Sequence, residues 1–163
     1  MTALPEAEKR CLVVVRIRGS VGTTEEIEEA FRLLHLTRKN HAALLPSSPS
    51  NVGALRKVKD YAAWGEASLE TVTELLVKRG RLSGNKRLTE EYVKSALGYK
   101  SIPDLAKSIQ EANADMRHLE GVKPLFRLSP PSKGFSASTK KPYPGGALGY
   151  RGEAINTLLA RMA

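Results

Sequence analysis

Apolar and polar positions recur with changing period along the chain, and each change marks an element. Leu12-Val-Val-Val-Arg-Ile-Arg18 is a β-branched run passing into alternation. It predicts a strand with Val13, Val15 and Ile17 on one face and Arg16 and Arg18 on the other. After Gly19–Gly22, Thr23 and Glu26 have capping-box spacing, and four glutamates suit the positive end of a helix dipole. Ile27, Ala30, Phe31 and Leu34 form that helix's inward stripe. Arg38-Lys39-Asn40 reads as a basic turn and His41–Leu45 as a second strand. A second helix is predicted over Asn51–Gly65, with Val52, Leu55, Val58 and Ala62 inward and Arg56, Lys57 and Lys59 outward. Gly65 would supply its terminal left-handed residue.

The middle of the chain keeps a helical period. Ser68–Arg79 carries Leu69, Val72, Leu75 and Leu76 in register and stops at Gly80. Arg81–Arg87 is a polar loop, and Thr89–Leu97 is a short helix stopped by Gly98. Ser101-Ile-Pro-Asp104 opens a further helix bearing Leu105, Ile109 and Ala112. Past Gly121 the period returns to two: Val122, Pro124, Phe126 and Leu128 alternate with Lys123, Leu125 and Arg127. That stretch is the expected third strand, begun irregularly at Pro124. If it neighbours the first, Arg16, Arg18, Lys123 and Arg127 share one sheet face while helices cover the other. Ser129–Gly149 is rich in proline and glycine and is expected to extend rather than pack a core. Ile155, Leu158, Leu159 and Met162 form a last amphipathic turn that docks back.

Composition then bears on function. The 163 residues hold 26 Lys+Arg against 17 Asp+Glu, a formal charge of +9. The excess is uneven: residues 1–9 are net acidic, 61–120 are balanced, and 121–163 carry seven basic groups against Glu153. No acid occurs from Val122 to Gly152. A surface kept merely soluble mixes its signs, so this partition points to a polyanion partner. The apolar run Leu12–Val15 is far short of the ~20 residues of a membrane span. The opening Met-Thr-Ala-Leu-Pro-Glu-Ala-Glu does not fit a secretory or organellar signal. A soluble intracellular chain with no membrane partner is expected.

Candidate chemistry is sparse. One cysteine, Cys11, opens an apolar strand, and no base is nominated to activate it. His35, His41 and His118 lack ligand spacing, so no metal and no cofactor is expected. Gly145-Gly146-Ala147-Leu148-Gly149 lacks the Gly-Lys-Ser/Thr ending of a nucleotide loop. Glu25/Glu26, Glu28/Glu29 and Glu90/Glu91 sit at helix starts, where capping accounts for them. These features exclude most enzyme chemistry. Lys140-Lys141 with Tyr143 and Tyr150 nearby suits phosphate contact plus base stacking.

Several segments together resemble a known family. Leu12–Gly19, the helix ending Leu-Leu-His-Leu36, the Arg38-Lys-Asn-His41 turn and Val58-Lys-Asp-Tyr-Ala-Ala-Trp-Gly-Glu66 are similar to the L-thirty family of large-subunit ribosomal proteins. Leu125-Phe-Arg-Leu-Ser-Pro-Pro131 and Gly145–Gly149 resemble its longer archaeal form, related to the eukaryotic L-seven proteins. The resemblance implies a β-α-β-α-β core with a three-stranded antiparallel sheet. It also implies a non-enzymatic, cytoplasmic role on the ribosome, binding large-subunit ribosomal RNA near the 5S RNA beside neighbouring ribosomal proteins.

The expected fold is therefore α+β: a single domain over residues 10–128, with a largely helical insertion (61–120) before the third strand. An extended basic arm (129–151) and a short C-terminal helix (152–163) follow, with no homo-oligomer. The expected phosphate contacts are Arg16, Arg18, Arg38, Lys39, Arg56, Lys57, Lys133, Lys140, Lys141 and Arg151, the arm residues foremost. Two other readings stand beside this one: a small-molecule-binding or catalytic ferredoxin-like domain, and a DNA-binding module.

Overall fold

Leu12, Val13, Val14 and Val15 are all fully buried. An uninterrupted apolar run of this kind belongs to a strand covered on both faces, whereas a half-solvated strand alternates. The computed structural model describes residues 10–135, 138–143 and 145–163, so the acidic stretch 1–9 lies outside the described residues.

The first half runs β1 (Cys11–Arg16), α1 (Glu25–Leu33), β2 (His41–Pro46), α2 (Pro49–Lys57), β3 (Ala62–Glu66) and α3 (Leu69–Arg79). A short α4 (Glu90–Tyr92) continues as a π-helical turn, Val93–Leu97, that ends on Gly98 at φ 76°. Then come α5 (Ile102–Gln110), β4 (Phe126–Arg127), β5 (Ser138–Pro142), β6 (Gly146–Tyr150) and α6 (Ile155–Met162). Ser48, Ser68 and Ser101 cap α2, α3 and α5, each side chain accepting from the backbone N–H three residues on. The Thr23/Glu26 capping box does not form. Thr24 occupies the N-cap without a side-chain bond, and the Thr23 hydroxyl lies 2.7 Å from both Ser20 O and Glu28 Oε1.

The strands form one six-stranded mixed sheet in the order β4-β2-β1-β3-β6-β5. β1 is antiparallel to β2 (Val13 opposite Leu44) and to β3 (Val14 opposite Trp64), and β4 is antiparallel to β2. β6 is parallel to β3, with Tyr150 opposite Trp64. Val13, Val15 and Ile17 pack under Val72, Leu75, Leu105, Ile109, Ile155 and Leu158 of α3, α5 and α6. Leu12 and Val14 pack under Phe31 and Leu34 on the α1 side and Leu55 and Val58 on the α2 side. The mixed α+β class holds, but the sheet has six strands rather than three.

The third strand is a correction. It is Ala62–Glu66, inside the stretch read as helix, and α2 ends at Lys57. Ala62 and Trp64 face one core while Ala63 faces the other, so small apolar residues fill both sides and continue the helical stripe by coincidence. Gly65 serves close packing: a Cβ there would collide with the Gly152 carbonyl oxygen and the Ile155 side chain. Of Val122–Leu128, Phe126–Arg127 joins the sheet as the edge strand beside β2, while Val122 bridges to Leu82. Residues 129–151 are not one extended arm either. They supply β5 and β6, and Ala147 and Leu148 are buried.

Candidate nucleic-acid interface

Because helices cover both sheet faces, an RNA-sized partner is left the ends and edges of the sheet. The strand directions decide which charges meet at each end. β1 finishes where its antiparallel partners β2 and β3 begin, and β4 finishes at the same level beside His41. α2 ends just ahead of β3, while α3 and α6 follow β3 and β6 back across the sheet. Their last turns carry Arg56 and Lys57, Lys78 and Arg79, and Arg161. Cations there also complement the negative ends of the helix dipoles.

Backbone and side-chain bonds tie this end together. Asn40 N–H donates to Arg16 O at 2.8 Å, Leu128 N–H to Asn40 O at 3.1 Å, and Ser129 N–H to Met162 O at 3.1 Å. Arg79 donates to Arg127 O at 3.2 Å and to Ser129 Oγ at 3.0 Å. Arg18 donates to Asp60 O at 3.4 Å, with its guanidinium 5.0 Å from the Tyr61 ring centre. Arg161 donates to the Ser132 and Gly134 carbonyl oxygens, which brings Lys133 to the same end. His41 reports the resulting potential. Its imidazole is held below the ordinary histidine range, first by burial and then by the positive charges of Arg127, Arg38 and Arg16.

The other end of the sheet has the opposite character. A cleft there is lined by Arg10, Glu66, Gln110, Glu111, Glu153 and Asn156. Glu66 accepts from the Tyr150 hydroxyl and lies 3.6 Å from Arg10 Nη1. Burial and that carboxylate raise the Tyr150 phenol to about 12. Cys11, at the same end, is buried and its thiol is raised to about 12, chiefly by burial. A thiol so raised is not a nucleophile at neutral pH. Among the described residues, no group of three or more His, Cys, Asp or Glu could hold a metal ion, and no helix is long and apolar enough to cross a membrane.

The structure separates the expected phosphate contacts. Arg38, Lys39, Arg56 and Lys57 are exposed at the basic end, and Arg18 is partly exposed there. Lys133, Lys140 and Lys141 are exposed as well. Gly149 faces Ala63 near the start of β3, so Gly146 and the neighbouring β5 project past that end. Arg16 is a correction. It is fully buried, because it shares the sheet face of Leu12 and Val14 on which α1 packs. Its guanidinium donates to Arg18 O at 3.0 Å, Leu36 O at 2.9 Å and Glu28 Oε1 at 2.7 Å, which leaves it no reach to a phosphate. The single cationic sheet face of Arg16, Arg18, Lys123 and Arg127 therefore does not exist. Arg151 is partly buried, with its guanidinium 5.1 Å from the Tyr143 ring centre. Burial, then the charge of Arg161, hold its pKa below the usual guanidinium range. Arg79 and Arg161 were not among the expected contacts. Each ends a helix, where a cation looks like a dipole complement, and only the return of those helices to one end groups them.

The family model for ribosomal protein L30p/L7e matches residues 12–62. The large ribosomal subunit protein uL30 of Archaeoglobus fulgidus is 47% identical over 149 residues, covering 91% of this chain and 97% of its own. The uL30 protein of Methanosphaera stadtmanae is 46% identical with the same coverage. That of Methanopyrus kandleri is 46% identical over 90% of this chain and 99% of its own. The chain belongs to the ribosomal protein L30p/L7e family. Within this L30p/L7e chain the matched segment runs from β1 to the first residue of β3. It contains the buried Arg16 and the exposed Arg38, Lys39, Arg56 and Lys57. Lys133, Lys140, Lys141 and Arg151 lie outside that segment, in a region that the full-length relatives share.

Proposed function

We propose that this chain is a structural constituent of the large ribosomal subunit that holds ribosomal RNA with the basic end of its sheet. Like its uL30 relatives it is a ribosomal component, not an enzyme, and its place is the cytoplasmic ribosome. The observation that carries the RNA surface is the convergence of Arg18, Arg38, Lys39, Arg56, Lys57, Arg79, Arg127 and Arg161 on one end. Glu66, Glu111 and Glu153 line the cleft at the other, while at the basic end Glu28 is taken up by the buried Arg16. Crowded guanidinium and ammonium groups exchange condensed counterions of RNA for direct phosphate contacts. Lys133 adds to that end beside the last turn of α6, and Lys140 and Lys141 extend the surface along the β5–β6 edge. The division into a domain (10–128), a Pro/Gly-rich basic segment (129–151) and a C-terminal helix (152–163) stays a proposal, and adjacency to the 5S RNA is the finer part of the same reading.

Sedimentation tests the ribosomal reading. The native protein should stay with large subunits through a high-salt wash of lysate, and recovery as free protein would refute it. Crosslinking in intact subunits tests the finer placement: adducts to the 5S RNA are expected, and their absence alongside adducts to other large-subunit RNA would overturn only that adjacency. The catalytic ferredoxin-like alternative is set aside by family membership. A preference for duplex DNA over structured RNA would revive the DNA-binding one.

A further inference from the structure

We propose that Tyr143 is a stacking platform for an unpaired nucleobase of the bound RNA. The inference rests on the RNA-binding reading and adds a base contact to a surface otherwise built for phosphates. Tyr143 is 41% exposed, the one aromatic among the large apolar side chains exposed in the described residues. Exposing an aromatic ring to water is unfavourable unless something covers it in the working state.

The ring is also held ready. Tyr143 N–H donates to Leu148 O at 2.8 Å, which anchors its backbone between β5 and β6. A Cβ at Gly146 would collide with the Lys141 carbonyl, so that turn closes tightly around glycine. The Arg151 guanidinium lies 5.1 Å from the ring centre and steadies it through the ring quadrupole. By contrast Tyr150, the other aromatic of this segment, is committed to Glu66 through its hydroxyl.

The surroundings select the occupant. Exposed Lys140 and Lys141 precede Tyr143, and Arg151 and Arg161 lie close enough for their charges to oppose. Neither arginine has an ion-pair partner among the described residues. A protein hot-spot aromatic is ringed by apolar contacts that exclude water. An aromatic that carries one guanidinium on its ring and follows two exposed lysines in its strand instead matches a nucleotide, whose base stacks while its phosphates take the charges.

The test uses the full-length protein and transcribed large-subunit ribosomal RNA, with affinity measured across salt concentrations. Y143L should weaken binding by about fivefold or more without changing the slope of log K against log salt, and Y143F should bind as the wild type does. Replacing Lys140 and Lys141 together with alanine should lower that slope by about 2. RNA carrying 5-iodouridine should crosslink to Tyr143 in the wild-type complex, a readout independent of how well any variant folds. Y143L binding within about twofold of wild type, or crosslinks from the formed complex that map to other residues and not to Tyr143, would overturn the stacking role. Either result leaves the RNA surface standing if the lysine variant still lowers the slope. Failure of the wild type to bind the RNA would overturn both.

Discussion

The buried guanidinium of Arg16 donates to Glu28 Oε1 at 2.7 Å while its carbon lies 4.0 Å from the centre of the Phe31 ring. One side chain thus joins the end of β1 to α1 by an ion pair and a cation–π contact. It also satisfies the Arg18 and Leu36 carbonyls in the adjoining loops. Arg16→Ala would leave those carbonyls and Glu28 without their donor and open a void over Phe31. It should lower unfolding stability by about 3 kcal/mol in urea titrations. Arg38→Ala, at an exposed position, should stay within about 0.5 kcal/mol. A small effect of Arg16→Ala would contradict its role as a lock.

Glu28 carries the pH dependence of that lock. The Arg16 hydrogen bond first, and the Thr23 hydroxyl next, hold its carboxyl below the ordinary glutamate value. A depressed folded-state value means that the unfolded chain binds the proton more readily. Glu28 therefore contributes its full stability above about pH 4.5, and the contribution falls away as the pH drops below that value. Unfolding of the wild type and Glu28→Gln between pH 7 and 3 should converge toward the acid end. Parallel curves would rule the coupling out.

Gly65 is a packing requirement. Its missing Cβ makes room for the Gly152 carbonyl and Ile155 at the start of α6, so Gly65→Ala should cost about 2 kcal/mol or more by overpacking. Thermal unfolding measures this directly, and a variant as stable as the wild type would contradict the close approach of β3 and α6.

His41 is a probe of phosphate occupancy. In the free protein its imidazole titrates below the usual value, through burial and then Arg127, Arg38 and Arg16. RNA phosphates beside Arg38 and Arg127 would offset that positive potential, so the imidazole should titrate higher in the complex. By linkage, RNA binding then tightens as pH falls through the window below about 6.5. Proton NMR of the His41 ring with and without RNA would show the rise. An unchanged or lower value would place the RNA elsewhere.

Single alanine substitutions of Arg38, Lys39, Arg79 and Arg127 should each reduce the salt slope of RNA binding by about 1 with little change in fold. Filter binding at graded salt concentrations checks this. Unchanged slopes across all four would remove the basic end as the RNA surface.

Local pattern carried a large part of the molecule. The β-branched run of β1, the Phe31–Leu34 stripe of α1, the Ser101 start of α5 and the acid-free stretch from Val122 to Gly152 all depend on near neighbours in the chain. Near neighbours are what periodicity, capping chemistry and charge counting register. The +9 charge and the family resemblance likewise follow from the residues as written, and both point to RNA. The partners of each strand are another matter, because pairing depends on contacts distant in sequence. Ala62–Glu66 continues a helical stripe in isolation and becomes a central strand because β1 and β6 offer it hydrogen bonds on both sides. Gly146–Tyr150 looks like loop composition until β3 buries it. Strand parity put Arg16 opposite Val13, Val15 and Ile17, as it is. Whether that second face meets water or a helix was set by where α1 packs, and α1 turned a presumed phosphate ligand into the buried joint of the fold.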